Sequence, residues 1–233
     1  MMMTDTAALS ADKPFSIAIL AMGGQGGGVL ADWIVHLAES QGWVAQTTSV
    51  PGVAQRTGAT IYYLELIKPR EGAMPILSLM PTPGDVDVVI AAELMEAGRS
   101  VMRGLVTPEK TLLIASTHRS FAVGEKEKPG DGIGNPETVV DATDFAARKT
   151  IAFDMDTLAV KNGSVISSSM FGAFAASKAL PFSKEAYEET IKAGGRGVVR
   201  GVLRAARDDR RWKAPGRARA AKVLVTATGG EEH

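Results

Sequence analysis

The chain has 233 residues and contains no cysteine. Disulfides and iron–sulfur clusters both need cysteine sulfur, so neither belongs to this chain. Electrons that pass through such a cluster must reach it on another subunit. The sequence also lacks an excess of one charge, because 26 basic and 26 acidic side chains cancel. No overall field therefore favours nucleic acid or an anionic membrane surface.

Long apolar runs are absent too. None approaches the roughly 20 residues of a membrane span, and the first dozen residues lack the basic segment that opens a signal peptide. We expect a cytoplasmic protein with no nucleic-acid or membrane partner. What the sequence does contain is an ordinary globular composition, 45% hydrophobic and 22% charged, which suffices for one good core.

Short apolar runs alternate with segments of helical periodicity, which is typical of an α/β fold. Strands are predicted at residues 15–22, 43–50, 60–67, 86–91, 111–115 and 150–153. Helices are predicted at 29–41, 93–105, 139–148, 164–179 and 183–193, and a further one at 196–212. The pattern predicts a Rossmann-like, mostly parallel, doubly wound sheet with helices on both faces. One domain should span residues 15–212, between a disordered start at 1–14 and a tail at 213–233.

A glycine-rich loop, Gly-Gly-Gln-Gly-Gly-Gly at 23–28, lies between the first strand and the first helix. Missing Cβ atoms let backbone N–H groups approach a ligand, and a helix N-terminus favours an anion. The spacing is neither the dinucleotide fingerprint G-x-G-x-x-G nor a P-loop ending in Gly-Lys-Ser/Thr, so nicotinamide binding and nucleotide hydrolysis are disfavoured. The glycines either bind a phosphate or carboxylate, or only make a tight turn and a close helix contact.

A second loop, Pro-Gly-Val-Ala-Gln-Arg-Thr-Gly-Ala at 51–59, joins the second and third strands. Its single guanidinium, on Arg56, can bind a carboxylate or phosphate through paired hydrogen bonds. In a parallel sheet this loop should lie beside the glycine loop.

Together, Met-Gly-Gly-Gln-Gly at 22–26 and Gly-Val-Ala-Gln-Arg-Thr-Gly at 52–58 resemble the gamma-type domain of the 2-oxoacid:ferredoxin oxidoreductases, most closely the beta-subunit type of the indolepyruvate enzymes. Ala-Glu at 92–93, Lys-Asn-Gly at 161–163, Ser-Met-Phe-Gly-Ala at 169–173 and Leu-Pro-Phe at 180–182 fit the same pattern. The resemblance covers about residues 15–206. Thr57 departs from it, since a second glycine often follows the arginine.

The resemblance implies a small subunit of an enzyme that oxidatively decarboxylates an indolepyruvate or arylpyruvate to an acyl-CoA. Thiamine diphosphate, Mg²⁺ and iron–sulfur clusters would reside on a large partner subunit, which passes electrons to ferredoxin. Coenzyme A would be the cosubstrate, and the assembly would be a hetero-oligomer. The residues expected to bind a cofactor or cosubstrate are Gly24, Gln25, Gly26, Gly27, Gln55, Arg56, Thr57, Glu93 and Asn162. No catalytic residue and no metal ligand is assigned to this chain.

Two other functions stay open. A stand-alone Rossmann-type module could hold a nucleotide or acyl carrier without redox chemistry. A purely structural chain could clamp the large subunits together and leave the glycine loop empty.

Several single residues allow two interpretations. Glu93 either belongs to the site or caps a helix, and Asn162 either turns the chain or donates hydrogen bonds into the crevice. Asp154 and Asp156 favour helix capping over paired-carboxylate chemistry. His36 and His118 are expected to be structural or solvated. Five arginines at 196–211 form a basic ridge, either a solvated face or a surface that docks on an acidic partner.

Overall fold

The computed structural model describes residues 13–51, 59–70, 75–120 and 136–193. The predictions for the first dozen residues, for the loop centred on Arg56 and for everything beyond residue 193 lie outside this part of the chain. Its strands are β1 (Phe15–Met22), β2 (Val44–Pro51), β3 (Ala59–Ile67), β4 (Val88–Ala91), β5 (Leu112–Ser116) and β6 (Lys149–Phe153). Its helices are α1 (Gly27–Ser40), α2 (Leu94–Met102), α3 (Pro136–Ala146), α4 (Met155–Lys161), α5 (Ile166–Ser177) and α6 (Lys184–Ala193).

Six strands form one sheet in the order β2-β3-β1-β4-β5-β6. The strands β1, β4, β5 and β6 pair in parallel with one another in this order. This confirms the predicted α/β fold with a mostly parallel sheet. The exception is β3, which pairs antiparallel with both β1 and β2. The short connection between β2 and β3 accounts for this, because it returns the chain as a hairpin and cannot cross over to a parallel position. Consequently β1 and β2 run in the same direction with β3 between them.

Hydrophobic cores lie on both faces of the sheet. Ile17 and Ile19 of β1 point to one core, which α1, α5 and α6 cover. Ala18 and Leu20, which alternate with them along the strand, point to the core on the other face, where α2 packs. Each fully buried Leu or Ile stabilises the fold by about 1.5–3 kcal/mol relative to its exposed form. The burial of β1 on both faces explains why its sequence is apolar throughout rather than alternating.

Helix α5 is the buried helix that its small and apolar composition predicts. The Phe171 ring packs edge-on against Trp33 at 5.7 Å between centroids, and tilted against Tyr187 at 5.4 Å. These contacts tie the middle of α5 to both α1 and α6.

Two predicted helix ends are confirmed. Gly42 follows α1 with a φ of +74°, a conformation that glycine adopts without strain. The Ser183 hydroxyl caps α6 by accepting a hydrogen bond from the Ala186 N–H at 3.3 Å. Helix α4 lies between β6 and α5, where capping by Asp154 or Asp156 predicted a helix start but no helix bounds were assigned.

Candidate functional site

The carboxyl ends of β1, β4, β5 and β6 lie at one edge of the sheet because these strands run the same way. After β1 the chain crosses to β2 on one side, whereas β4 lies on the other. The end of β4 is tied to β1 by a hydrogen bond from the Ala92 N–H to the Leu20 carbonyl, 2.9 Å. Such a switch in direction opens the crevice in which α/β sheets bind their ligands.

The glycine loop follows β1 at this edge, and Gln25 closes it. The Gln25 N–H donates to the Met22 carbonyl at 3.1 Å, and the Gln25 side-chain oxygen accepts from the Met22 N–H at 2.8 Å. Gly24 and Gly26 have φ angles of +86° and +70°. Part of the loop therefore serves the tight turn that was one of the two interpretations.

Close packing explains two of the glycines. A Cβ at Gly26 would lie 2.1 Å from the Ser167 Oγ, and one at Gly27 would lie 2.7 Å from the Tyr62 ring. Packing within the described residues does not explain Gly23 and Gly24, because none of their atoms lies within 4 Å of a Cβ built there and both glycines are exposed. The backbone at Gly23 and Gly24 is therefore open to a ligand.

Glu93, which follows β4, is only 1% exposed. Its Oε1 accepts from the Glu96 N–H at 2.8 Å and so caps α2, as one interpretation expected. Its Oε2 lies 3.5 Å from a guanidinium nitrogen of Arg119. The buried carboxylate is thus balanced by a cation at the crevice, and its part in binding a ligand stays a prediction.

A second buried carboxyl, Glu96, lies one turn further along α2 and forms an ion pair with Arg99. Burial raises the pKa of Glu96 and the neighbouring Glu93 charge adds to the rise, while Arg99 opposes it. The other oxygen of Glu96, Oε2, is buried and has no hydrogen-bond partner among the residues that the structure describes.

The end of β5 supplies further polar groups. The Ser116 Oγ accepts from the Met155 N–H at 3.1 Å and lies 2.8 Å from the Nδ1 of His118. Either atom of this pair can be the donor, because a hydroxyl and an imidazole nitrogen can each donate or accept a hydrogen bond. The adjacent Thr117 Oγ1 is buried, and no described residue forms a hydrogen bond with it. His118 is thus fixed in orientation, whereas His36 lies exposed on α1.

Asn162 ends α4, and its side-chain amide donates to the Leu158 carbonyl at 2.8 Å. The next residue, Gly163, has a φ of +62°. The structure thus displays the chain-turning interpretation of Asn162, and donation to a ligand stays a prediction.

Asp154 caps α4 as predicted. Its carboxylate accepts from the Thr157 N–H at 2.9 Å and from the Thr157 hydroxyl at 2.8 Å. We expect Asp154→Ala to lower the free energy of unfolding by about 0.5–2 kcal/mol, the usual value of such a cap, without changing kcat. Urea denaturation and an activity assay of the assembled enzyme measure the two quantities, with Asp156→Ala as the control for lost charge. A fall in kcat at unchanged stability would instead make Asp154 a site residue.

Gln55, Arg56 and Thr57 lie outside the described residues, but the strands that flank them are fixed. Ala59 pairs with Met22, and Pro51 pairs with Thr60. Both ends of the Arg56 loop therefore lie at the edge where the glycine loop begins, as predicted. The antiparallel strand β3 thus joins the described ends of the second motif to the start of the first.

The sequence did not single out Ser167, Thr117 or Ser116 as site residues. The signal available for Ser167 was the run of serines at 167–169, since polar side chains in an otherwise apolar, buried helix need a specific partner. Ser116 and Thr117 carry no comparable signal, because single hydroxyls are common at strand ends.

Within the described ranges, no cluster of three His, Asp or Glu side chains could hold a metal ion. Over the same ranges, none of the helices has the length and apolar character needed to cross a membrane.

Residues 16–208 match the family of pyruvate ferredoxin/flavodoxin oxidoreductases. The chain belongs to this family. It is 27% identical over 187 residues to the indolepyruvate oxidoreductase subunit IorB of Thermococcus kodakarensis, a match that spans 77% of this chain and 86% of that protein. The resemblance inferred from the two loops is confirmed, and with it the expectation of a 2-oxoacid:ferredoxin oxidoreductase subunit.

Solved structures share the fold. The pyruvate oxidoreductase subunit PORC of Thermotoga maritima superposes with a TM-score of 0.58 at 20% identity, over 85% of this chain and 96% of that one. The gamma subunit of a keto/oxoacid ferredoxin oxidoreductase from Geobacter sulfurreducens gives 0.53 at 17% identity, over 85% and 99%. The 2-oxoglutarate:ferredoxin oxidoreductase of Magnetococcus marinus, solved with 2-oxoglutarate, coenzyme A and succinyl-CoA bound, gives 0.53 at 17% identity. That match spans 91% of this chain but 32% of the longer one, so the fold recurs there as one part of a larger chain.

Proposed function

We propose that this chain is the small subunit of a cytoplasmic, thiamine-diphosphate-dependent indolepyruvate or arylpyruvate:ferredoxin oxidoreductase. The enzyme removes CO₂ from the 2-oxoacid, transfers the acyl group to coenzyme A and passes the electrons to ferredoxin. Bound thiamine diphosphate supplies the carbanion chemistry of decarboxylation, and with Mg²⁺ and the iron–sulfur clusters it resides on the large partner subunit. The present chain contributes to the site where the acyl group meets its acceptor.

The observation that carries the proposal is the shared edge of the two loops. Gly23 and Gly24 leave open backbone beside β1. The loop that bears Arg56 ends at Ala59, which pairs with Met22 of β1, and starts one strand further out at Pro51, which pairs with Thr60 of β3. Coenzyme A carries several phosphates, and backbone N–H groups with a guanidinium are suitable donors to them. In this arrangement Gly24, Gln25, Gly26 and Gly27 approach the carrier on one side, and Gln55, Arg56 and Thr57 approach it on the other.

The remaining proposed site residues lie at or beyond the ends of the neighbouring strands. Glu93 holds the α2 end of the crevice in place through its cap and its pairing with Arg119. Asn162 fixes the turn that leads into α5. We assign both to positioning the binding loops rather than to bond making or breaking.

Expression with and without the large subunit tests this function. Brown iron–sulfur colour and arylpyruvate-dependent reduction of ferredoxin should appear only in the co-purified complex. Glyoxylate and pyruvate serve as control substrates for the arylpyruvate specificity. A chain that never associates with a large subunit, yet binds a nucleotide, would support the stand-alone module, which the Rossmann-like crevice also suits.

The chain alone is expected to bind no thiamine diphosphate, flavin or nicotinamide cofactor. The glycine loop lacks the dinucleotide spacing, and no acidic residue ends β2 to hold a ribose. Calorimetry of the isolated chain with NAD, FAD and thiamine diphosphate should give no heat beyond dilution. Micromolar affinity for NAD would overturn the proposed function in favour of the nucleotide-binding module.

A further inference from the structure

Strand β2 forms one outer edge of the sheet, because the only strand beside it is β3. None of its backbone N–H or C=O groups forms a hydrogen bond with the backbone of a described residue outside β3. Alternate residues of a strand point these groups to opposite sides, so about half of β2 directs its donors and acceptors away from β3. Such a row is a template for pairing with a further strand.

The sequence of β2 has little that would protect this edge from pairing. Its eight residues, Val-Ala-Gln-Thr-Thr-Ser-Val-Pro, include no charged residue and no glycine, and the one proline comes last. The opposite edge strand, β6, has only five residues, begins with a lysine and follows an arginine. Short length and lysine are common means by which proteins keep an edge unpaired. The edge at β2 is therefore the one suited to a partner strand.

Exposed apolar side chains lie beside the same edge. The Thr48 hydroxyl donates to the Leu79 carbonyl at 2.6 Å. The Gln46 side-chain amide donates to the Ser78 carbonyl at 3.0 Å, so both carbonyls lie against the middle of β2. Leu79 and the adjacent Met80 are 66% and 60% exposed. Large apolar side chains next to an open strand edge mark an interaction surface more specifically than either feature alone.

A second copy of this chain fits the edge, because the edge is complementary to itself. Antiparallel pairing of two identical strands requires a two-fold axis perpendicular to the sheet, which keeps the same face of each copy on the same side. Thr47 and Thr48 lie at the centre of β2, so no like charges meet at the axis and hydroxyl side chains face one another. The same axis places Leu79 and Met80 of both copies on one face of the joined sheet, where each copy covers the exposed apolar side chains of the other.

We propose that two copies of this chain pair through antiparallel β2 strands, which joins their two six-stranded sheets into one. The interface combines the open backbone of β2 with the apolar surface at Leu79 and Met80. It goes beyond the proposed function and does not depend on it, because its evidence comes from the outer edge of the sheet alone. In the assembled enzyme it brings two small subunits into one particle.

Sedimentation of the full-length chain tests this interface. The wild-type chain should be a dimer at micromolar concentration. Thr47→Lys places like charges at or beside the axis and should raise the dissociation constant of the dimer about tenfold or more. Thr47 is exposed, so the substitution spares the core. Thr138→Lys makes the same change at an exposed position of α3 and, as the matched control, should leave the dimer intact.

Charge reversal separates lost pairing from lost folding. Thr47→Glu alone should also weaken the dimer, for the same reason as Thr47→Lys. An equimolar mixture of the two variants should dimerise again, because opposite charges then face each other across the axis. Misfolded chains would not recover in this way.

Single cysteines locate the axis, since the chain has no cysteine of its own. Opposed residues of antiparallel strands have Cα atoms about 4.5–5.5 Å apart, which is within the range of a disulfide. Thr47→Cys or Thr48→Cys, whichever residue lies on the axis, should therefore give a disulfide-linked dimer under mild oxidation. Thr138→Cys should not.

Three results would overturn the proposal. The first is a wild-type chain that stays monomeric, and the second is a dimer whose dissociation constant Thr47→Lys leaves unchanged. The third is hydrogen exchange of the β2 amides that slows only when the large subunit is added, which would assign this edge to the large subunit instead.

Discussion

Gly26→Val should lower the free energy of unfolding by about 2–6 kcal/mol and also impair turnover wherever the protein is folded. The valine Cβ would lie 2.1 Å from the Ser167 Oγ and 3.3 Å from its Cβ, and the backbone φ of +70° is unfavourable for a β-branched residue. Strain and overpacking cost about 1–3 kcal/mol each. Thermal melting of the assembled enzyme measures this loss.

The kinetic part of this prediction needs its own control. Gly24→Val places the same side chain at a φ of +86° in open space, so it carries the strain without the clash. Gly23→Val carries neither. If the loop binds a ligand, both control variants should raise the KM for coenzyme A at temperatures where they are folded, because a branched side chain blocks approach to the backbone. Wild-type kinetic constants in all three folded variants would mean that the glycines serve the turn and the packing alone, and that the chain acts by holding its partner.

Arg56→Ala should reduce kcat/KM of the assembled enzyme roughly ten- to hundredfold, which corresponds to about 1.5–3 kcal/mol for hydrogen bonds to a charged group. The free energy of unfolding should change by no more than about 0.5 kcal/mol, as we expect for a charged residue in a connection between two strands. Arg56→Lys should restore little, since an ammonium cannot reproduce the paired geometry of a guanidinium. Steady-state kinetics and denaturation of the same preparations give both numbers.

Arg148→Ala is the comparison for Arg56. Arg148 is exposed and precedes β6, so it lies at the opposite edge of the sheet, where its Nε donates to the Lys110 carbonyl at 3.1 Å. Its removal should leave kcat/KM unchanged. Should Arg56→Ala instead lower the melting temperature or prevent assembly while turnover per assembled enzyme is preserved, Arg56 would be a structural clamp.

Local features were the most predictable from the sequence. The six strands follow from apolar runs, and the caps at Asp154 and Ser183 follow from a side chain and a backbone N–H only three residues apart. The place of β3 between β1 and β2 did not follow in the same way. Its apolar pattern predicts a strand but carries no information on the direction or the partner of that strand.

The two glycines at the start of α1 illustrate what sequence reasoning could not supply. Their interpretation was left between turn, packing and ligand binding, because the deciding neighbours are distant along the chain. Ser167 comes from α5 and Tyr62 from β3, and each meets its glycine only after the sheet has formed. The same test distinguishes Gly23 and Gly24 from these two glycines, because no described residue packs against the positions of their missing side chains.

Val165 at the start of α5 has a consequence for the balance between stability and function. A serine, threonine or aspartate in this position would typically stabilise a protein by about 0.5–2 kcal/mol, and valine is among the poorest residues for it. That is a noticeable part of the roughly 5–15 kcal/mol that separates a folded domain from its unfolded chain. The side chain is exposed, so no core contact compensates for the lost cap. The chain is therefore less stable than its own fold permits, and the shortfall falls on the helix end whose first turn, at Ser167, packs against the glycine loop.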